Sequence, residues 1–318
     1  MSALDRLEAA ASHVYEAMAP TAQIRWPLLG ERAGAQVWVK HENHTPIGSF
    51  KVRGGLHYVH ELRRANPGIE GVVCATRGNH GQSVAYAATR AGLKAVIVVP
   101  RGNDPEKNRA MRAFGGELVE HGRDYEEAME HARSLAAERR YHVFPSFHGT
   151  LVEGVASFSV ELLKAVPELE VVYVPIGLGS EICGMVRARD ALRHKVAIVG
   201  VVAERAPAYA LSFAAGKPVP TNSSDTFADG LAIRIPDPEA LEIILKGVER
   251  IVTVSDEEMM AAMRHYFADT HNLAEAAGAA TLAALLKECR SMAGRRVGLV
   301  LSGCNISSER YVRVLAGA

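Results

Sequence analysis

The sequence has no long hydrophobic run. Its most apolar stretches, residues 95–100 and 297–301, are strand-sized and far short of the ~20 residues that cross a bilayer. Residues 1–18 mix charges into an amphipathic pattern. They lack the basic start, apolar centre and small-residue cleavage site of a secretory signal, so no membrane partner is expected. An excess of charge is also missing. The 36 Lys and Arg balance 36 Asp and Glu, which excludes a generally cationic nucleic-acid binder. Cysteine is scarce. Cys74, Cys183, Cys289 and Cys304 form no C-x-x-C pair, and the chain is too large to need disulfides, so reduced thiols in a cytoplasmic protein are expected. No repeat, low-complexity tract or long linker interrupts the sequence.

What is present is a globular composition, 48% hydrophobic and 23% charged, in 318 residues, enough for one or two domains. Runs rich in Val and Ile occur at 36–42, 71–76, 94–100, 171–176, 196–204, 250–255 and 297–303. Their near-continuous apolar character is that of strands buried on both faces. Amphipathic stretches at 125–139, 256–268 and 274–290 lie between them. The alternation predicts an α/β fold with parallel sheets and helices on both faces. Residues 45–148 hold a β-α-β set of their own and are read as a small domain. Residues 1–44 with 149–318 are read as a large one.

Four segments combine turn residues with chemistry at strand ends, where α/β proteins place ligands. In "NHTPIGSFKVRGG" (43–55), Ser49 reads as a helix cap and Lys51 falls in the first turn, against the positive end of the dipole. It is either a solvated surface lysine or an amine held at an anion or carbonyl site. In "CATRGNHGQSVAYAA" (74–88) a strand runs into Thr76, Arg77, Gly78, Asn79 and His80, and a helix of small residues follows. Its N–H groups can hold a carboxylate, or the segment is an ordinary turn. In "VPIGLGSEICG" (174–184), Gly177, Leu178, Gly179 and Ser180 can cradle a phosphate. This loop is not a Walker A loop, and it misses the G-x-G-x-x-G fingerprint because the next glycine after Gly179 is Gly184. In "LVLSGCN" (299–305), Ser302 can meet a buried ring nitrogen or cap a helix.

The order and context of these segments resemble the fold type II pyridoxal-phosphate enzymes (tryptophan synthase beta-like), most closely threonine and serine dehydratases and serine racemase. The resemblance covers nearly the whole chain. It includes "KAVIVVP", "TFADGLA" (226–232), "VSDEEM" (254–259) and "EAAGAATLAAL" (275–285) besides the four segments. It implies two parallel-sheet domains with pyridoxal 5'-phosphate between them, the larger domain binding it. It implies that Lys51 forms a Schiff base with the cofactor and later removes the substrate α-proton. By the same resemblance, Phe50 packs on the ring and Asn79 bonds its 3-oxygen. Gly177, Leu178, Gly179 and Ser180 take the phosphate, and Ser302 faces the ring nitrogen. Thr76, Arg77, Gly78, Asn79 and His80 meet the substrate. The implied reaction is dehydration of a 3-hydroxy-L-amino acid to a 2-keto acid and ammonia, with racemisation or β-replacement as alternatives. A homodimer with a small amino acid as substrate is expected.

Several residues depart from the family pattern. Arg77 stands where related dehydratases carry a small residue and serine racemase a serine that acts as second base. A permanent cation cannot do that, which argues against racemisation. Arg77 is read as lining the site, where it would bind the substrate carboxylate or a phosphate oxygen, or else as pointing out to solvent. Glu181 follows the glycine loop where an apolar residue is usual. Glu204 matches one ligand of the family's cation site but Ala210 replaces another, so little metal dependence is expected. "EGVAS" (153–157) replaces a Gln-containing stretch near the substrate side chain, which makes a bulkier substrate such as phenylserine a candidate beside threonine. The regulatory domain of biosynthetic threonine deaminases does not follow "LSGCN", so feedback through it is not expected.

Overall fold

The computed structural model describes residues 1–317. Ten strands form two sheets: β1 (Gln23–Arg25), β2 (Gln36–His41), β3 (Gly71–Ala75), β4 (Lys94–Val99), β5 (Glu117–Glu120), β6 (His142–Val143), β7 (Val171–Pro175), β8 (Ala197–Ala203), β9 (Arg250–Val254) and β10 (Arg296–Leu301). The larger sheet runs β1-β2-β10-β7-β8-β9 and the smaller β5-β4-β3-β6. All pairings are parallel except β1 with β2. The four strands of the smaller sheet fall within 45–148 and the six of the larger outside it. The seven strands expected from apolar runs are all present. β1, β5 and β6 were not expected, because "QIR", "ELVE" and "HV" are too short or too polar to form such a run.

Every residue of β3 and β7 is buried, as strands covered by helices on both faces must be. Each fully buried Val contributes on the order of 1.5–3 kcal/mol of hydrophobic stabilisation. The helix Ala3–Tyr15 serves both halves. Its Leu7 joins the core of the larger sheet, while Val14 joins the core of the smaller one with Met18 just beyond it. Assigning all of 1–44 to the large domain therefore misses this second attachment.

Helix starts divide into two kinds. Asp104, Asp124, Asp237 and Ser255 cap their helices through side-chain oxygens. The helices Lys51–Ala65, Asn79–Arg90 and Ser180–Ala191 start at Phe50, Gly78 and Gly179 with no side-chain cap. These three follow the C-terminal ends of β2, β3 and β7, so their first N–H groups are left for another partner. Ser49 is thus not the cap of its helix. Its backbone pairs with Gly303 in an isolated antiparallel bridge, which moves the cap position to Phe50.

Candidate active site

Lys51 is the first residue of its helix, and the loop before it is tied to the end of β10. Phe50 N–H donates to the Ser302 carbonyl at 3.0 Å, and Cys304 N–H donates to the Gly48 carbonyl at 2.9 Å. Gly48 adopts φ +68°, where a Cβ would stand 2.9 Å from Cys304 Sγ, so this approach needs glycine. Lys51 is held from behind by the Ser83 hydroxyl, which donates to its carbonyl at 2.7 Å. The Lys51 amine then lies 4.8 Å from the Phe50 ring centre and 3.4 Å from Ser180 Oγ, across the cleft on the glycine loop. Burial pulls its pKa below the ordinary lysine value, with the Glu181 carboxyl opposing the shift.

The glycine loop is compact. A Cβ on Gly177 would meet the Gly230 carbonyl at 2.3 Å, and Gly179 has φ +102° with Ala240 2.8 Å from its would-be Cβ. The Leu178 carbonyl accepts from Tyr209 Oη at 2.9 Å, and that hydroxyl in turn accepts from Asp237 N–H at 3.0 Å. Ser180 is buried at the start of an uncapped helix, an arrangement suited to a phosphate.

The loop after β3 is organised by Thr76, whose Oγ1 accepts from Gly78 N–H at 3.0 Å and Gly81 N–H at 3.2 Å. Asn79 is fixed at both ends. Its Nδ2 donates to Glu275 Oε1 and its Oδ1 accepts from Asn305 Nδ2, each at 2.7 Å. One amide hydrogen remains for a ligand. His80 is held neutral, its pKa pulled down to about 3 by burial and by the Lys51 charge. Arg77 differs from the rest. Its side chain is exposed and makes no hydrogen bond or ion pair among the described residues, which favours the solvent-facing of its two sequence readings. It follows β3 at the open rim of the turn, where an arginine keeps its hydration.

Sequence reasoning assigned no role to Glu275, Asn305, Lys107 or Asp229. Glu275 carries a pKa raised to about 7 by burial, against the pull of Lys107. Lys107 bonds Asp229 at 2.8 Å across the cleft mouth. The signal for Asp229 lay in "DG" at a turn, and that for Glu275 in its place just before the helix Ala276–Lys287. Beneath Lys51, Arg53 is fully buried and bonds Glu42 at 2.6 and 2.9 Å and Glu161 at 2.6 and 3.0 Å. Lys40 reaches the same Glu161 at 2.5 Å, which closes a neutral set of two cations and two anions. The 153–157 segment belongs to this support. A Cβ on Gly154 would meet the Arg53 carbonyl at 2.6 Å, and Ser157 Oγ accepts from Arg53 at 2.9 Å.

The residues fit a phosphate-bearing aromatic aldehyde. Among the described residues, three buried polar atoms near Lys51 have no partner: His80 Nε2, Ser49 Oγ and Glu181 Oε1. Buried groups of this kind are normally satisfied, so they mark where a further group completes the site. Ser302 is buried, and its side chain makes no hydrogen bond among the described residues.

Comparison with known proteins agrees with this geometry. The chain is 32% identical over 306 residues to the biosynthetic L-threonine dehydratase of Haemophilus influenzae, covering 95% of this chain and 60% of that protein. It thus spans about 60% of the length of the biosynthetic dehydratases it matches. It is 30% identical to the L-threo-3-hydroxyaspartate ammonia-lyase of Saccharomyces cerevisiae, covering 97% of this chain and 94% of the other. Among solved structures, processed threonine deaminase isoform 2 of Solanum lycopersicum superposes with a TM-score of 0.92 at 27% identity, over 99% of this chain and 93% of that one. Maize serine racemase superposes with a TM-score of 0.92 at 25% identity, over 99% and 97%. The family described as "Pyridoxal-phosphate dependent enzyme" matches residues 14–303, and with the Lys51 amine set beside the glycine loop, the chain belongs to that family.

Proposed function

We propose that the protein is an ammonia-lyase that converts a 3-hydroxy-L-amino acid of the threonine or serine type into a 2-keto acid and ammonia. The observation that carries this reading is the Lys51 amine, 3.4 Å from Ser180 at the glycine loop and beside a strand end that carries Ser302. When bound, pyridoxal phosphate supplies the electron sink that makes the substrate α-proton removable. Lys51 Nζ takes that proton, and its lowered pKa favours the neutral amine a base requires. Gly177, Leu178, Gly179 and Ser180 hold the phosphate. The remaining Asn79 amide hydrogen meets the ring 3-oxygen, and Phe50 supports the ring. Thr76 presents the N–H groups of its turn, with Gly78, Asn79 and neutral His80, to the substrate carboxylate. Ser302 offers the ring nitrogen a neutral partner, which keeps the sink modest and suits prompt loss of the β-hydroxyl.

The position of 153–157 bears on the substrate. Its contacts with Arg53 place it under the lysine helix, so it supplies no enlarged side-chain pocket. Threonine and serine are therefore preferred over phenylserine. Racemisation is the second reading, favoured by the likeness to maize serine racemase and opposed by Arg77, which cannot serve as a second base. The enzyme is read as a cytoplasmic homodimer, in keeping with four unpaired cysteines and the frequency of two-fold assemblies.

The test is 2-keto acid release from L-threonine, L-serine, L-threo-phenylserine and L-threo-3-hydroxyaspartate, with Lys51→Ala as control. The expected result is turnover of threonine or serine by the wild type. The variant should lose about 10²–10⁴-fold in rate, as for removal of a general base. Exchange of the α-proton without keto acid release would replace this reading by racemisation.

A further inference from the structure

On the far side of the lysine helix from the cleft, four metal-ligating side chains converge from two helices. His57, His60 and Glu61 are spaced i, i+3, i+4 on Lys51–Ala65 and so share one face. His13 comes from the last turn of the facing helix Ala3–Tyr15. His13 Nδ1 stands 3.0 Å from His57 Nδ1, and the His13 and His60 rings stack with centres 3.5 Å apart. Ligand atoms of His13, His60 and Glu61 all lie within 4.8 Å of one another. Two donors bound to one tetrahedral zinc ion at ~2.1 Å stand about 3.4 Å apart, so the donor atoms are near enough for one ion once the His13 and His60 rings turn out of their near-parallel stack.

We propose that His13, His57, His60 and Glu61 form a divalent transition-metal site that clamps the amino-terminal helix to the helix carrying Lys51. Three further observations support it. His57 turns Nδ1 toward the cluster while its Nε2 faces Glu153 Oε2 at 3.6 Å, near enough for that carboxylate to orient the ring as outer partners of ligating imidazoles do. His13 is half-buried between the two helices, with its ring centre 5.2 Å from that of His57 and 3.5 Å from that of His60. His60 is exposed, which gives an ion a path in. Glu61 is also held by Arg64, at 2.6 Å from Oε2, and this contact must loosen for the carboxylate to ligate. Imidazole-rich donors select Zn²⁺, Ni²⁺ or Cu²⁺ over Mg²⁺ and Ca²⁺. On the lysine helix the ligands lie six to ten residues from Lys51, about 9–15 Å along the axis at 1.5 Å per residue, so the ion touches no substrate and acts by fixing the helix.

The experiment is calorimetric titration of untagged holoenzyme with ZnCl₂, with MgCl₂ as control, on the wild type, His60→Ala and His13→Ala/His60→Ala. Thermal melts are recorded with and without zinc. One zinc per chain, weakened at least tenfold in His60→Ala and lost in the double variant, is expected. A zinc-dependent rise in Tm should be largest in the wild type, smaller in His60→Ala and absent in the double variant. His60 is exposed, so its variant keeps the fold, and equal metal-free Tm values check this. Absence of saturable zinc binding would overturn the proposal, as would binding unchanged in the double variant, which would place zinc elsewhere, for example on Cys289.

Discussion

The Phe50 N–H donates to the Ser302 carbonyl at 3.0 Å, and this one bond joins two segments some 250 residues apart in sequence into one wall of the site. It uses the backbone of Ser302, whose hydroxyl makes no hydrogen bond among the described residues. Ser302→Ala should therefore leave stability within about 0.5 kcal/mol while lowering turnover about tenfold, the equivalent of one lost hydrogen bond to a ligand. Urea unfolding and keto-acid assays on the same samples check this. A large loss of stability would mean that the hydroxyl serves the fold.

Glu181 is buried with Oε1 unpartnered, and burial holds its pKa well above the usual carboxylate range, with Lys51 opposing and Glu42 and Glu275 reinforcing the shift. A carboxyl raised in the folded state stabilises the fold below its unfolded pKa. That contribution is lost as pH rises through the raised folded value. Glu181→Leu removes the penalty, so the variant should gain on the wild type as pH rises, by about 1–3 kcal/mol near pH 8 and little near pH 4.5. Unfolding curves of both proteins at several pH values measure it. A gain independent of pH would assign the effect to packing alone.

Arg53 lies two residues from Lys51 and, itself fully buried, bonds the buried Glu42 and the largely buried Glu161. Removing one partner strands the others, so Arg53→Ala should cost about 3–5 kcal/mol. Arg53→Lys keeps the charge but cannot bridge two carboxylates in bidentate fashion, and it should fall between. Chemical denaturation of the three proteins sets the order, and an alanine variant as stable as the wild type would refute it.

Which features were legible in the sequence follows from the range of the interactions that make them. The buried strands announce themselves because each needs apolar residues on both faces, and the cleft residues because strand ends and glycines mark them locally. Ser49 was misplaced as a cap because its backbone is claimed by Gly303, a partner that no local pattern reveals. The bonds from Asn79 to Glu275 and Asn305 were invisible for the same reason. The 153–157 departure was legible as a difference but not as a location. Only the packing of Gly154 on Arg53 shows that it supports the lysine helix.

Thr76 gives a prediction that separates hydrogen bonding from shape. Its Oγ1 accepts from two N–H groups, while its Cγ2 stands only 2.4 Å from where a Cβ on Gly81 would be. Thr76→Val keeps the shape and loses the acceptor, which should cost about 1–2 kcal/mol and raise KM for the amino acid as the turn loosens. Thr76→Ser keeps the acceptor and should hold KM close to the wild-type value. Equal KM values for the two variants would refute a role of the hydroxyl in shaping the carboxylate pocket.

Arg77 next to it calls for the opposite expectation. Its guanidinium is exposed and unpaired among the described residues, so any pull on a substrate carboxylate crosses water and is screened within about 8–10 Å at physiological salt. Arg77→Ala should leave stability within about 0.5 kcal/mol. It should raise KM by less than about threefold at low salt, without changing kcat, and this difference should vanish as salt is added, because a rim charge steers encounter more than it binds. KM measured across a salt series for both proteins decides the matter. A salt-independent rise of tenfold or more would show that the side chain turns inward when substrate binds and contacts the carboxylate directly, restoring it to the enclosed site.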